Sequence, residues 1–268
     1  MSLGTTPEPI RGLDNVIALQ SSVCRLSAED GGLFYRGYDV RELGEQSSYE
    51  ETAFLLIHGH LPTSVELRLF SAELRANQKL SSAGLRVLKA MPMTADPMAA
   101  LRATLAVLAV EHAVKVPPSP EDALAQGVSL MAVTPTIVAA QHRLRTGQRP
   151  VLPKKSLSFA ANCLAMITGT APAVEAARAL DVALILRADN ELNPSTFAAR
   201  VTAATGADVY GAVLAALSAL AGPRHGWHTR NVLAALEEIG APERVEPWVR
   251  EGLARNRKVP GFGHVVYK

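Results

Sequence analysis

The sequence predicts an all-α protein with a small N-terminal β-hairpin. Three observations predict it. Hydrophobic residues make up 48% of the 268 residues and aromatic ones only 5%, a balance rich in Ala and Leu that suits close-packed helices better than a β-sandwich. Helix-start signals, a capping side chain followed by Glu or Pro, recur along the chain. Strand-like runs are confined to residues 12–38.

The hairpin comes first. Val16, Ile17, Ala18 and Leu19, and then Leu33, Phe34, Tyr35 and Arg36, flank Glu29-Asp30-Gly31-Gly32, residues that tolerate positive φ. The ribbon is expected to end at Gly37. From Val40 the pattern is helical. Ser48 with Glu51 is a capping box for a helix over residues 52–58, stopped by Gly59. Ser64 is the expected cap of the next helix, supported by Leu67, Leu69, Phe70 and Leu74. A short helix over 82–90 closes at Met91-Pro92, and Asp96-Pro97 starts a longer one over 98–114. Residues 115–120, with Pro117 and Pro118, read as a connector.

Helices are expected over 121–131 and 135–145, split at Pro135, then over 156–168 and 173–187 after a loop at 147–155. Residues 186–231 hold a polar cluster, a small-residue apolar run containing a helix over 207–221, and a tight Gly222-Pro223-Arg224-His225-Gly226 turn. The last helices cover 229–239, closed by Gly240, and 242–256. The chain is long enough for a large domain with a smaller companion.

A net charge of +2 gives no global field of the kind that marks nucleic-acid or membrane-surface proteins. Cys24 and Cys163 form no CxxC pair and are expected as buried free thiols in a reducing cytoplasm. No uninterrupted apolar run of about 18 residues occurs, so no spanning helix is expected. The start shows no basic segment followed by an apolar one, so no signal peptide is expected.

Of the seven histidines, His58 and His60 sit at a helix end, where capping or surface roles suffice. His112 and His142 lie in helical patterns. His225 and His264 stand in glycine-framed turns, where backbone can approach a ligand closely. Taken singly, each is balanced between a site and an ordinary turn. His225 and His228 have the spacing of two metal ligands, but no Cys, His or carboxylate set completes them, so no metal is expected. Asp189 and Glu191 beside Arg187 read as an ion pair at a helix end. The basic clusters His142-Arg143-Arg145 and Arg255-Arg257-Lys258 read as solvated faces.

Several ordered motifs together resemble the citrate synthase family, which includes the 2-methylcitrate synthases. They are YRGYD at 35–39, residues 50–62, TPTI at 134–137, RADNELN at 187–193, STFAAR at 195–200, GPRHG at 222–226 and PGFGHVVYK at 260–268. The resemblance implies a two-domain helical fold and a homodimer, with the site in the cleft between domains. It divides the chain into a large domain, 1–225, and the start of a small domain, 226–268. It implies condensation of an acyl-CoA, acetyl-CoA or propionyl-CoA, with oxaloacetate or a related 2-oxo acid, without a resident cofactor.

By position, the resemblance makes His225 the donor to the thioester oxygen and His264 the group that polarises the ketone. Asn190, Asn193, His225 and His264 become substrate-binding residues, and Lys268 a CoA contact. The family's HADHE pattern reads RADNE here, so Asn190 replaces a histidine that contacts oxaloacetate. Asn can donate hydrogen bonds but carries no positive charge. GPLHGGAN becomes GPRHGWHT, with Arg224, Trp227, His228 and Thr229, and Val265 replaces an arginine. The family's catalytic aspartate lies beyond the position of Lys268, so a chain ending there would lack the carbon base. Asn190 and Trp227 also motivate an alternative, an altered or inactive paralogue with a binding or regulatory role. A purely structural helical protein is a third reading.

Overall fold

A computed structural model describes residues 19–27, 31–223, 225, 226 and 228–260. The expectations on 16–18, Glu29, Asp30, Arg224, Trp227, His264, Val265 and Lys268 lie outside the described residues. Within them the architecture is all-α with one small sheet. The sheet contains β1 (Cys24–Leu26), β2 (Leu33–Tyr35) and β3 (Tyr38–Asp39). The helices before residue 150 are α1 (Val40–Gln46), α2 (Tyr49–His58), α3 (Ser64–Asn77), α4 (Ser82–Ala90), α5 (Pro97–Glu111) and α6 (Pro120–Arg145). Those after it are α7 (Phe159–Thr168), α8 (Val174–Leu186), α9 (Pro194–Ala204), α10 (Val209–Leu220), α11 (His228–Ile239) and α12 (Val245–Ala254).

The ribbon is three-stranded and antiparallel, in the order β1-β2-β3. Its first arm is Cys24–Leu26, paired Cys24↔Tyr35, Arg25↔Phe34 and Leu26↔Leu33, whereas Leu19 lies outside any strand. Ser27 N–H closes the loop on Gly32 O at 2.8 Å. The Arg25 guanidinium lies 4.2 Å from the centre of the Phe34 ring facing it. The ribbon also runs past Gly37. Arg36 and Gly37 both have positive φ, 50° and 95°, which is the two-residue turn that matches strand twist.

Local chemistry sets most helix ends. Ser48 accepts from Glu51 N–H and Glu51 accepts from Ser48 N–H, the reciprocal box expected, and Gly59 ends α2 at φ 87°. On α3 the cap is Thr63 rather than Ser64, because Glu66 stands three residues after Thr63 and completes a second box. Helix α7 starts at Phe159, later than expected, because Ser158 caps it. Glu50 of α2, itself buried, accepts the Phe159 N–H at 2.9 Å. Helix α5 ends at Glu111 with His112 as its C-cap. The last expected helix divides into a 3-10 turn, Pro242–Arg244, and α12.

Helix α6 is the axis of the bundle. It runs unbroken for 26 residues through Pro135, where the sequence predicted two helices. A mid-helix proline costs about 3 kcal/mol. Each large aliphatic side chain buried nearby returns about 1.5–3 kcal/mol. Leu130, Val133, Ile137 and Ala140 join Leu88, Leu101, Leu105, Leu108 and Tyr210 in one core. Val128 and Ala132 join Phe54, Phe70 and Leu74 in another. Burial therefore outweighs the local rule. By length and composition α6 is the one described helix that could cross a bilayer. Here it is buried among α3, α4, α5, α7 and α10.

Polar groups inside the bundle are paired across elements. Gln126 of α6 donates to His112 O at 2.9 Å and accepts from Val209 N–H at 3.1 Å, which fixes the start of α10. Arg178 of α8 donates to the carbonyls of Gly44, Glu45 and Ser47 at the end of α1. Its ion-pair partner Asp181, 2.8 Å away, accepts Tyr49 N–H at 3.1 Å and so caps α2. The basic clusters are solvated as expected, with His142, Arg145, Arg255, Arg257 and Lys258 exposed and Arg143 half-buried. Arg143 donates to Arg149 O and Ile167 O. Arg257 lies 4.2 Å from the centre of the Trp248 ring and pairs with Glu238.

Removing the Asp181 carboxylate leaves Tyr49 N–H and the half-exposed Arg178 without their partner. Asp181→Ala is expected to lower unfolding free energy by about 2 kcal/mol, read from a urea transition. Burial pushes the thiols of Cys24 and Cys163 from 9.0 up to about 12. Both are expected to resist a disulfide exchange reagent at pH 8 and to react on denaturation. The folded-state values are raised, so their stabilisation is complete below pH 9 and is lost as pH climbs from 9 toward 12. The urea midpoint should fall across that window.

Candidate functional site

Helices α9 and α10 form the part of the fold that builds the site. Asn193 caps α9 by accepting Thr196 N–H at 2.9 Å, and Pro194 stands at the first turn. Asp208 caps α10 by accepting Gly211 N–H at 2.8 Å. Between them Gly206 turns the chain at φ 84°, and the two helices pack against each other as a hairpin. The element joining Asn190 to His225 is thus a helical hairpin rather than a single helix over 207–221. Its return stroke carries residues 222–226 back to the start of α9.

The turn after α10 is narrow. His225 N–H and Gly226 N–H both donate to Gly222 O, at 3.0 and 3.1 Å. A Cβ on Gly226 would sit 1.9 Å from Leu220 O, so only glycine fits there. His225 Nε2 lies 2.9 Å from Ser195 Oγ and accepts Ser195 N–H at 3.3 Å. Ser195 Oγ also lies 2.6 Å from Asn193 Oδ1. A backbone N–H can only donate, so the Ser195 amide leaves Nε2 unprotonated with the neutral ring's proton on Nδ1, and the single Ser195 hydroxyl proton serves either Nε2 or Asn193 Oδ1 but not both. Among the described residues Nδ1 has no hydrogen-bond partner. The site therefore offers one N–H donor, fixed in direction by the first turn of a helix.

The loop between α8 and α9 carries the other expected residues. Asn190 is exposed. Asn193 spends its side-chain oxygen on Thr196 and Ser195. Arg187 is exposed and forms no ion pair among the described residues, so the expected pairing with Asp189 and Glu191 is corrected. Asp189 Oδ1 instead accepts Glu191 N–H at 2.8 Å, and Glu191 Oε1 accepts Leu26 N–H of the ribbon. The Tyr35 hydroxyl donates to Asp189 O at 3.0 Å and accepts Asp189 N–H at 3.2 Å. Burial pushes that hydroxyl up to about 12, so it stays protonated. A groove of about 360 Å³ runs beside this loop, lined by residues 19–23, Asp189, Glu191, Thr196 and Arg200.

The structure brings together His225, Ser195 and Asn193, and sets Asn190 three residues before the cap of α9. Ser195 is the residue that reading from the sequence left without a role. The signal available was its place at the second position of a helix opened by Asn193-Pro194, beside a histidine turn. Among the described residues no group of three or more His, Cys, Asp or Glu side chains is placed to hold a metal.

Residues 12–268 match the family model described as citrate synthase, C-terminal domain. The chain is 42% identical over 257 residues to citrate synthase of Synechocystis sp., covering 96% of this chain and 65% of that protein. It is 38% identical over 265 residues to 2-methylcitrate synthase of Mycobacterium tuberculosis, covering 98% of this chain and 66% of that protein. The fold superposes, with a TM-score of 0.87 and 28% identity, on citrate synthase of Thermoplasma acidophilum in a ternary complex with carboxymethyl coenzyme A and oxaloacetate. That match covers 94% of this chain and 67% of the solved one. The chain spans just under two thirds of the length of the two curated relatives named, and the match runs through every motif from YRGYD to PGFGHVVYK. The chain belongs to the citrate synthase family.

Proposed function

We propose that this chain carries the greater part of an acyl-CoA-condensing enzyme that joins acetyl-CoA or propionyl-CoA to oxaloacetate or a related 2-oxo acid. The observation that supports it most is the His225 ring, held at Nε2 by Ser195 with its Nδ1 proton left as a donor. A thioester α-proton is weakly acidic. Its removal becomes feasible when a hydrogen bond meets the charge developing on the carbonyl oxygen. His225 Nδ1–H is the group of this chain suited to that oxygen. His264 takes the ketone oxygen of the acceptor and supplies its proton as the new carbon–carbon bond forms. Water then cleaves the thioester and free CoA leaves. Each step moves protons and one acyl unit, so no resident cofactor is needed.

Asn190 and Asn193 complete the acceptor side in this reading, and Lys268 meets CoA. The base that takes the α-proton belongs to the family segment that follows the position of Lys268. Residues 1–225 form the large domain and 226–268 begin the small one. The exposure of Leu233, Leu236 and Leu253, at 57–62%, supports further packing onto α11 and α12. Helix α9 buries none of its residues yet carries Phe197 and Val201, which supports a homodimer. The two buried free thiols support a cytoplasmic enzyme, and the net charge of +2 supports small-molecule partners rather than nucleic acid or a membrane surface. Asn190 favours a related 2-oxo acid over oxaloacetate, because it contributes no charge opposite a second carboxylate.

The test is thiol release by the full-length protein from acetyl-CoA or propionyl-CoA, with oxaloacetate and a series of 2-oxo acids. Turnover is expected with at least one pair, and His225→Ala or His264→Ala should lower kcat about 100- to 1000-fold. Asn190→His should lower the KM for oxaloacetate more than that for a monocarboxylic 2-oxo acid. Silence of the wild-type protein with every pair would exclude the activity and favour the non-catalytic paralogue.

A further inference from the structure

The loop that presents Asn190 is held by its two neighbours. Tyr35 of β2 has no solvent exposure. Its hydroxyl clasps both peptide groups of Asp189, through the carbonyl at 3.0 Å and the amide at 3.2 Å. On the other flank Glu191 adopts φ 51°, a left-handed conformation that a residue with a Cβ enters at a cost. Two contacts hold it there. Asp189 Oδ1 accepts its N–H at 2.8 Å, and its own carboxylate accepts Leu26 N–H at the free edge of β1. The ribbon is itself fixed to the bundle, since Arg36 donates to Leu56 O through Nε at 3.3 Å and Nη2 at 2.9 Å. Asn190, between the two clasped residues, is exposed.

From this geometry we infer that Tyr35 and Glu191 are positioning residues for the acceptor-binding loop, and that the N-terminal ribbon sets the affinity for the 2-oxo acid. The inference rests on the proposed function, because only that reading makes Asn190 a ligand contact. Tyr35 is fully buried and the Glu191 carboxylate is engaged by Leu26 N–H, so both act through the backbone that carries Asn190. They act by removing freedom from a loop that would otherwise have to be ordered when the ligand arrives. Their influence is therefore on the oxo acid and not on the acyl-CoA, whose contacts in this reading lie at His225 and Lys268.

Tyr35→Phe keeps the ring in its slot and removes only the hydroxyl. In the full-length protein it is expected to speed amide exchange over residues 187–193 about tenfold. It should weaken oxaloacetate, measured by calorimetry, about tenfold, while the acyl-CoA constant stays within about twofold. Glu191→Ala, which loosens the loop from its other flank without touching the core, should give the same split should Tyr35→Phe fail to fold. Unchanged exchange, unchanged oxo-acid affinity, or equal loss of both ligands overturns the positioning role. If the wild type binds no 2-oxo acid at all, the proposed function fails and the role in affinity falls with it. The exchange data then report separately whether the ribbon clasps the loop.

Discussion

Everything in this fold hangs on the two-sided burial of α6. One face supplies Leu130, Val133 and Ile137 to a core shared with α4, α5 and α10. The other supplies Val128 and Ala132 to a core shared with α2 and α3. Pro135 lies half-buried on the more open side of α6, near the exposed Val138 and His142, and the burial on the other sides carries the helix through it. Its polar residues then act as fixed points. Gln126 holds the end of α5 and the start of α10, and Thr136 Oγ1 donates to Gln78 O at 2.7 Å. The α9–α10 hairpin inherits its position from α6 through these contacts.

The site is a product of that inheritance. Among the described residues no carboxylate bonds to His225. A helix beginning does the work, through one backbone N–H and one hydroxyl of Ser195. Backbone donors are cheap to position because the helix has already ordered them. The preceding loop is held from the ribbon as well, by Tyr35 at Asp189 and Leu26 at Glu191, and Asn193 joins it to the His225–Ser195 contacts.

The helices were largely legible because their ends are written locally. Ser48 with Glu51, Asp96 before Pro97, Gly59 and Gly240 each act on atoms within a few residues. Failures came where distant contacts decide. The arm Cys24–Leu26 has a weak strand signal, and its outer amide is claimed by Glu191, 165 residues away. Pro135 obeyed burial rather than propensity. His225 was legible from its glycine frame, and its likeness to a family motif gave it a role. Ser195 and Tyr35 were not legible as partners of the site. Tyr35 meets Asp189 across 154 residues, and nothing in either stretch announces the meeting.

The missing space beside Gly226 has a consequence for how this pocket can vary. The Leu220 carbonyl occupies the volume that any side chain at 226 would need. Diversification of the turn, by evolution or by design, must therefore pass through other positions. The sequence already does so, with Arg224 and Trp227 where the family pattern has a leucine and a glycine. Position 226 acts as a pivot that admits no spelling but one, and new specificity has to be written around it.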